Sequence, residues 1–372
     1  MTNPTPAQES ERPPQGKRPL RKRLGAALAC LGLGVLLVIA YTIYWFSAAN
    51  ELRIAAEHWR DEHRALGEIV TWQSFAVGGY PFWLSATARE TLWAGAAGDR
   101  VWSWEASHVG AKVRPWRFQQ VSLDLTGEHR IVRADSGHRD VYAVTTDQLT
   151  SLLDFEAGKV VRAAFDLARL RLDGGPAVGA WSLETGTATL RRPDVPPANH
   201  LGVGWTVAFD GGGLDLPESP ALPLGNRVAR VVLDASILGD IPPGPLGIGL
   251  AQWRDDGGTI EAKHLRLDWG PLAAQGDGTL ALDAALQPIG AFSAQVQGFQ
   301  ETIDLLRRQG MVDNQAASTA RLVLGVLSRP SPDGGAPTIG LPVSIQNRSV
   351  FAGPVALLRL DPIRWTGTMP AF

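Results

Sequence analysis

Residues 24–47 read LGAALACLGLGVLLVIAYTIYWFS, a stretch of 24 residues without a single charge. In a helix rising about 1.5 Å per residue it covers about 36 Å, enough to cross a hydrocarbon core of about 30 Å with some tilt. Tyr41, Tyr44 and Trp45 fall near its C-terminal end, where amphipathic rings suit the headgroup level. Ahead of it, the Pro-rich, polar residues 1–23 carry six bases, Arg12, Lys17, Arg18, Arg21, Lys22 and Arg23, against Glu9 and Glu11. A basic flank stays in the cytoplasm, so the pattern predicts a single-pass anchor with everything after residue 47 exported. A signal peptide has an apolar region of about 7–15 residues, shorter than this one, so the segment is read as a retained anchor despite the small triplet Ser47-Ala48-Ala49.

The tail 1–23 reads as disordered, and residues 48–67 as a juxtamembrane amphipathic helix ending at Gly67. From Glu68 onward, alternation replaces helical spacing. Val70 and Trp72, then Phe82, Leu84 and Ala86, then Val121, Leu123 and Leu125 recur every second residue between Gly, Pro and Asp. That is the texture of antiparallel strands with one buried face. It continues to the end with one interruption at 301–327, where helical spacing returns and Gly310 divides two helices. The fold class is therefore mainly β (α+β): an N-terminal transmembrane helix, curved antiparallel sheets and a helical insertion near 301–327. Because a single core rarely grows beyond about 250–300 residues, the reading is two lobes, at 68–195 and 196–372, or one long curved sheet. The tetrapeptide Leu-Arg-Leu-Asp occurs at 170, 265 and 358, but no longer similarity surrounds the copies, and chance recurrence accounts for them.

Catalytic signatures are missing. There is no phosphate-binding G-x-x-x-x-G-K-[ST], no G-x-S-x-G elbow and no H-E-x-x-H. The single cysteine, Cys30, lies inside the anchor, so neither a disulfide framework nor a cysteine zinc site can form in one chain. His129, Asp135, His138 and Asp140 could converge on a metal, but Arg130, Arg133 and Arg139 are interleaved and oppose a cation; a polar hairpin fits better. No cofactor is indicated. A formal net charge of −2 speaks against a nucleic-acid partner.

Thirteen tryptophans are many for 372 residues, and six fall between Trp72 and Trp116. Core filling is the ordinary use of such rings. The functional alternative is an apolar groove wall, for which Trp83, Trp93, Trp102 and Trp104 are the candidates; Trp102 and Trp104, two apart, share one strand face.

Gly79-Tyr80-Pro81-Phe82, Val113-Arg114-Pro115-Trp116, Trp269-Gly270-Pro271-Leu272, Gly278 through Asp283 (GTLALD) and Leu341-Pro342-Val343-Ser344-Ile345 occur in that order. In this order the chain resembles a domain-of-unknown-function family of alphaproteobacterial, membrane-anchored envelope proteins, over most of residues 50–365. Asn347-Arg348-Ser349 departs from the polar-Gly turn more usual there. The G-x-L-x-L-D rhythm after Trp269 also looks like segments of AsmA/TamB-like envelope proteins. That likeness implies curved sheets with an apolar inner face and a part in phospholipid movement or outer-membrane assembly. The resemblance carries no catalytic residues.

Together these readings predict a non-enzymatic binding or scaffold protein of the cell envelope. It would be anchored in the bacterial inner membrane through residues 24–47, with its C-terminal domain periplasmic, and would handle a phospholipid along an apolar β-groove. The alternatives are a structural partner of another envelope protein and, last, an envelope hydrolase.

Overall fold

The structure is a computed structural model that describes residues 20–98, 100–135, 137–218, 222, 224–330, 336–353, 355–363, 365 and 368–369. The basic tail expected over 1–23 thus lies outside the described residues as far as residue 19. The chain divides into two compact units, Met1–Glu51 and Leu52–Phe372. Helix α1 (Leu20–Ala65) contains the uncharged segment and the expected juxtamembrane helix as one 46-residue element. Its most apolar stretch has a mean hydropathy of 2.1, and it is long and apolar enough to cross a membrane. Leu31, Leu36 and Leu37 stand exposed around it, as side chains that meet lipid do. The helix stops where Gly67 turns left-handed (φ +86°) and the Gly67 and Glu68 amides bond back to Arg64 and His63.

The second unit is one antiparallel meander. Its first strands are β1 (Ile69–Thr71), β2 (Ser74–Gly78), β3 (Leu84–Ala97) and β4 (Arg100–Arg114). Then come β5 (Arg117–Asp124), β6 (Gly127–Ala134), β7 (Arg139–Thr146), β8 (Gln148–Glu156) and β9 (Lys159–Asp173). After a single turn α2 (Gly175–Val178), the sheet continues with β10 (Ala180–Arg191), β11 (Val203–Asp215) and β12 (Arg227–Leu238). A short β13 (Gly244–Pro245) and helix α3 (Leu246–Asp255) precede β14 (Thr259–Trp269), β15 (Leu272–Leu282) and β16 (Pro288–Gln297). Helices α4 (Phe299–Arg308) and α5 (Asn314–Leu327) intervene before β17 (Ile339–Gln346), β18 (Ser349–Ala352) and β19 (Val355–Arg359); β20 (Thr368–Met369) pairs with β13. Three pairs of strands act as one: β1 and β2 both lie along β3, β5 and β6 along β4, and β7 and β8 along β9. With that reading, each strand of the large sheet pairs with its neighbours in sequence.

The sheet is continuous across the junction at residue 195. β10 and β11, which flank residue 195, pair from Ser182↔Asp215 to Arg191↔Thr206, and Leu52–Phe372 is one unit. An open sheet escapes the size limit of a closed core because it adds strands at its edge rather than volume at its centre.

Register gives the sheet two unlike faces. Directly opposed residues on antiparallel strands share a face. One line of opposed residues runs Leu84, Val113, Val121, Leu153, Ala163, Leu190, Val207, Ala235, Ala262, Gly278, Phe292, Val343 and Ala352. No polar side chain interrupts it across thirteen strands, a width of about 58 Å at about 4.8 Å per strand. The line beside it, from Ala86 and Ala111 through Phe165, Phe209, Leu233 and Leu265 to Leu341, admits one polar residue, Ser151. The intervening residues point the other way and include Ser85, Lys112, Ser122, Thr189, Asp234 and His264. Most of the apolar line is half-buried, with only Leu84, Ala163, Ala235 and Ala262 buried.

A second line crosses the strands where alternation breaks. Glu90 (φ 48°), Gly127 (φ 118°), Arg169 (φ 48°) and Gly213 (φ 66°) are left-handed residues on β3, β6, β9 and β11. Glu90, Arg169 and Gly213 are skipped in the pairing of their strands, as is Glu184 opposite Arg169. Apolar positions change parity there: Leu84, Ala86 and Ala88 lie before Glu90, Trp93 and Gly95 after it. A left-handed residue interrupts the strict two-residue alternation of a strand. The line is also charged, with Arg169 paired to Asp147 and Arg227 to Glu184.

Candidate functional site

The expected helical insertion at 301–327 is present as α4 and α5, divided at Gly310 (φ +72°). Gly298 starts α4 in a left-handed conformation (φ +70°), where an added Cβ would collide with the Pro271 carbonyl. Glu301 in the first turn and Arg307 and Arg308 in the last complement the helix dipole. Phe299 and Ile303 are buried and fix α4 on the sheet. Asp313 caps α5 by accepting from the Ala316 amide at 2.7 Å, and Asp304 on α4 accepts from Arg321 on α5, tying the hairpin together.

Between this hairpin and the sheet lies an apolar cleft of about 1010 Å³. Leu267, Ala274, Ala294, Val296, Leu341 and Val343 form its floor on β14 to β17. Phe299, Ile303, Ala316, Ala320, Val323 and Leu324 form its roof. Thr302, Asp313, Gln315 and Thr319 supply its polar groups. Ligand pockets are typically about 300–1,000 Å³ and mostly apolar with a few polar groups, so this cleft has the size and chemistry of a site for a large apolar molecule. Val343 and Leu341 belong to the two apolar lines, so the cleft continues the track that crosses the sheet.

The four tryptophans considered as a groove wall line no part of this cleft. Trp93 and Trp102 stack edge to face at 5.3 Å, and Trp93 meets Trp59 of α1 at 5.5 Å in the same way. The Trp93 indole also donates to Glu68 at 2.8 Å. These rings seat the end of α1 on β3 and β4. Trp104 lies parallel to His129, 6.0 Å between centroids. Trp83 sits apart, at the opposite end of the β3–β4 hairpin, beneath Lys112 and Arg114. Sequence spacing put Trp102 and Trp104 on one face but could not show that the face was already occupied.

His129, Asp135, His138 and Asp140 do not converge. His129 is buried and bonds the Leu125 carbonyl at 2.6 Å, while Asp140 lies opposite Arg133 and Asp135 caps the turn through the Gly137 and His138 amides. Those amide bonds hold the Asp135 carboxyl below its ordinary pKa. Among the described residues no group of three His, Cys, Asp or Glu could hold a metal ion.

A family model described as an uncharacterized protein conserved in bacteria, DUF2125, matches residues 45–361. The chain belongs to the DUF2125 family. The match takes in the whole meander as far as β19, the helical hairpin and the cleft between them. No curated protein and no solved structure matches this DUF2125 chain.

Proposed function

We propose that this DUF2125 protein is a membrane-anchored binding protein of the cell envelope that holds a lipid by its acyl chains. The observation that carries the reading is the unbroken apolar line from Leu84 to Ala352, continuous with the cleft under α4 and α5. An ordinary sheet buries such a face under a second layer, because apolar surface left in water costs about 25 cal/mol per Å². Here the face is half-buried along most of its length, which suits a surface that a mobile apolar ligand completes. The anchor supplies proximity to lipid, and the bases before it favour a bacterial inner-membrane protein with the sheet on the periplasmic side.

Photo-crosslinking in intact membranes tests this. A photoreactive amino acid at Ala320, in the roof of the cleft, should yield an adduct of phospholipid mass on the full chain. One at Thr189, on the polar face, should not. Protein adducts at Ala320 without lipid would refute lipid binding. A structural-partner role draws on a separate observation: Leu322 and Val326 stand 71% and 80% exposed on α5. Protein adducts at Leu322 alone would support it.

A further inference from the structure

The end of the sheet formed by the approach to β3 and the β4–β5 turn has a composition unlike the rest of the molecule. Phe82, Trp116 and Phe118 are 66%, 60% and 52% exposed there. Leu84 lies opposite Val113 and Arg114 opposite Arg117, so the residues before β3 and those of the turn share one end. Lys112 and Arg114 stand over the ring of Trp83 at 5.5 and 5.2 Å, and Arg117 is exposed beside them. No acid occurs between Glu68 and Glu90 or between Glu105 and Asp124. Arg117 also lines a hollow that holds Asp154, Glu156 and Asp194 beside Arg162, Arg191 and Arg192, so acids do not outnumber bases there.

Exposed rings in water are costly, and cations clustered on segments that carry no acid of their own repel one another; both are relieved at one kind of surface. Tryptophan and phenylalanine settle at the boundary of headgroups and acyl chains, and arginine and lysine are attracted to anionic headgroups. We infer that this tip is a second membrane contact, docking on an anionic phospholipid bilayer through Phe82, Trp116 and Phe118 with Lys112, Arg114 and Arg117 against the phosphates. The commitment to a bilayer comes from charge complementarity, and it does not depend on what the cleft binds.

The test uses the full chain, with Cys30→Ser and a spin label on Gln119→Cys, in nanodiscs. Gln119 is exposed beside Phe118, so the label leaves every proposed contact in place. In discs containing roughly one-third phosphatidylglycerol the label should gain oxygen accessibility and lose accessibility to a water-soluble nickel chelate; in pure phosphatidylcholine the change should be smaller. Arg117→Gln should weaken the shift about fivefold, the effect of one base at an anionic surface. Trp116→Ala, at an exposed turn, should weaken it in both compositions. A label on Lys263→Cys, exposed on β14, should stay in water throughout. Equal nickel accessibility at Gln119 in both compositions would overturn the inference and leave the tip to a protein partner.

Discussion

The indole nitrogen of Trp253 donates to the Leu238 carbonyl at 2.7 Å, inside the fold, where α3 covers the end of β12. Trp253 packs there with Leu250 and Leu282, and Ile237, Ile260 and Trp365 close the cluster. This buried cluster joins α3, β12 and β15, so it should set the stability of this end. Trp253→Ala should cost about 3–5 kcal/mol and Trp253→Phe roughly 1–3 kcal/mol, the latter through the carbonyl left without its donor. Urea denaturation followed by far-UV circular dichroism measures both; equal losses would show that the ring adds nothing beyond the hydrogen bond, and no loss in Trp253→Phe that the bond adds nothing beyond the ring.

Gly298 should be replaceable by nothing larger. Gly298→Ala adds left-handed strain of about 1–3 kcal/mol to a collision with the Pro271 carbonyl. It should loosen α4 from the sheet while leaving the meander intact. Hydrogen exchange should rise in α4 and α5 and stay unchanged in β9 to β12. Unchanged exchange in the helices would mean that Phe299 and Ile303 seat α4 without the turn.

The apolar track predicts an asymmetry between faces. Leu233→Arg places a charge in the line between Phe209 and Leu265. It should lower lipid crosslinking at Ala320 by roughly tenfold, the size of about 1.4 kcal/mol of lost apolar contact, if lipid reaches the cleft along the sheet. Asp234→Arg, one residue on and facing the other way, should leave it unchanged. Equal yields from both variants would show that the cleft fills without the track.

Acid should remove one surface contribution selectively. The Arg230 guanidinium, bonded to Asp210 at 2.7 and 3.2 Å, holds that carboxyl below its ordinary pKa. A lowered folded pKa means stabilisation that is present above the unfolded value of about 3.9 and is lost as the pH falls through the folded value. Arg230→Gln should therefore lower the urea midpoint slightly at neutral pH and lose that deficit in strong acid. Both groups are exposed, so the effect is small. A deficit that persists in strong acid would assign it to lost packing instead.

The anchor was legible because an uncharged run of that length has few uses, and the strands because alternation marks a sheet with unlike faces. The helical hairpin was legible at 301–327, and the structure moves its start only to Phe299. Register was not legible: Leu84 and Ala352 are 268 positions apart, and only the summed offsets of twelve strand pairings place them on one line. Helix α3 was missed because Gly247 and Gly249 obscure it, although Leu246, Leu250 and Trp253 keep helical spacing. The roof of the cleft had a signal that went unused. In α5, Ala320, Leu322, Val323, Leu324, Val326 and Leu327 are too many apolar residues for one helix face, and the structure divides them between cleft and solvent.

Pairing between sequence neighbours also governs how such a chain can be made. Most strands meet their next partner within a short stretch of newly synthesised chain, so the growing edge is soon covered and loop closure stays inexpensive. The longest wait falls to β16, which stands through some forty residues of helices and linker before β17 arrives to cover it. During that interval its open edge is the place where a nascent chain would pair wrongly or need a chaperone.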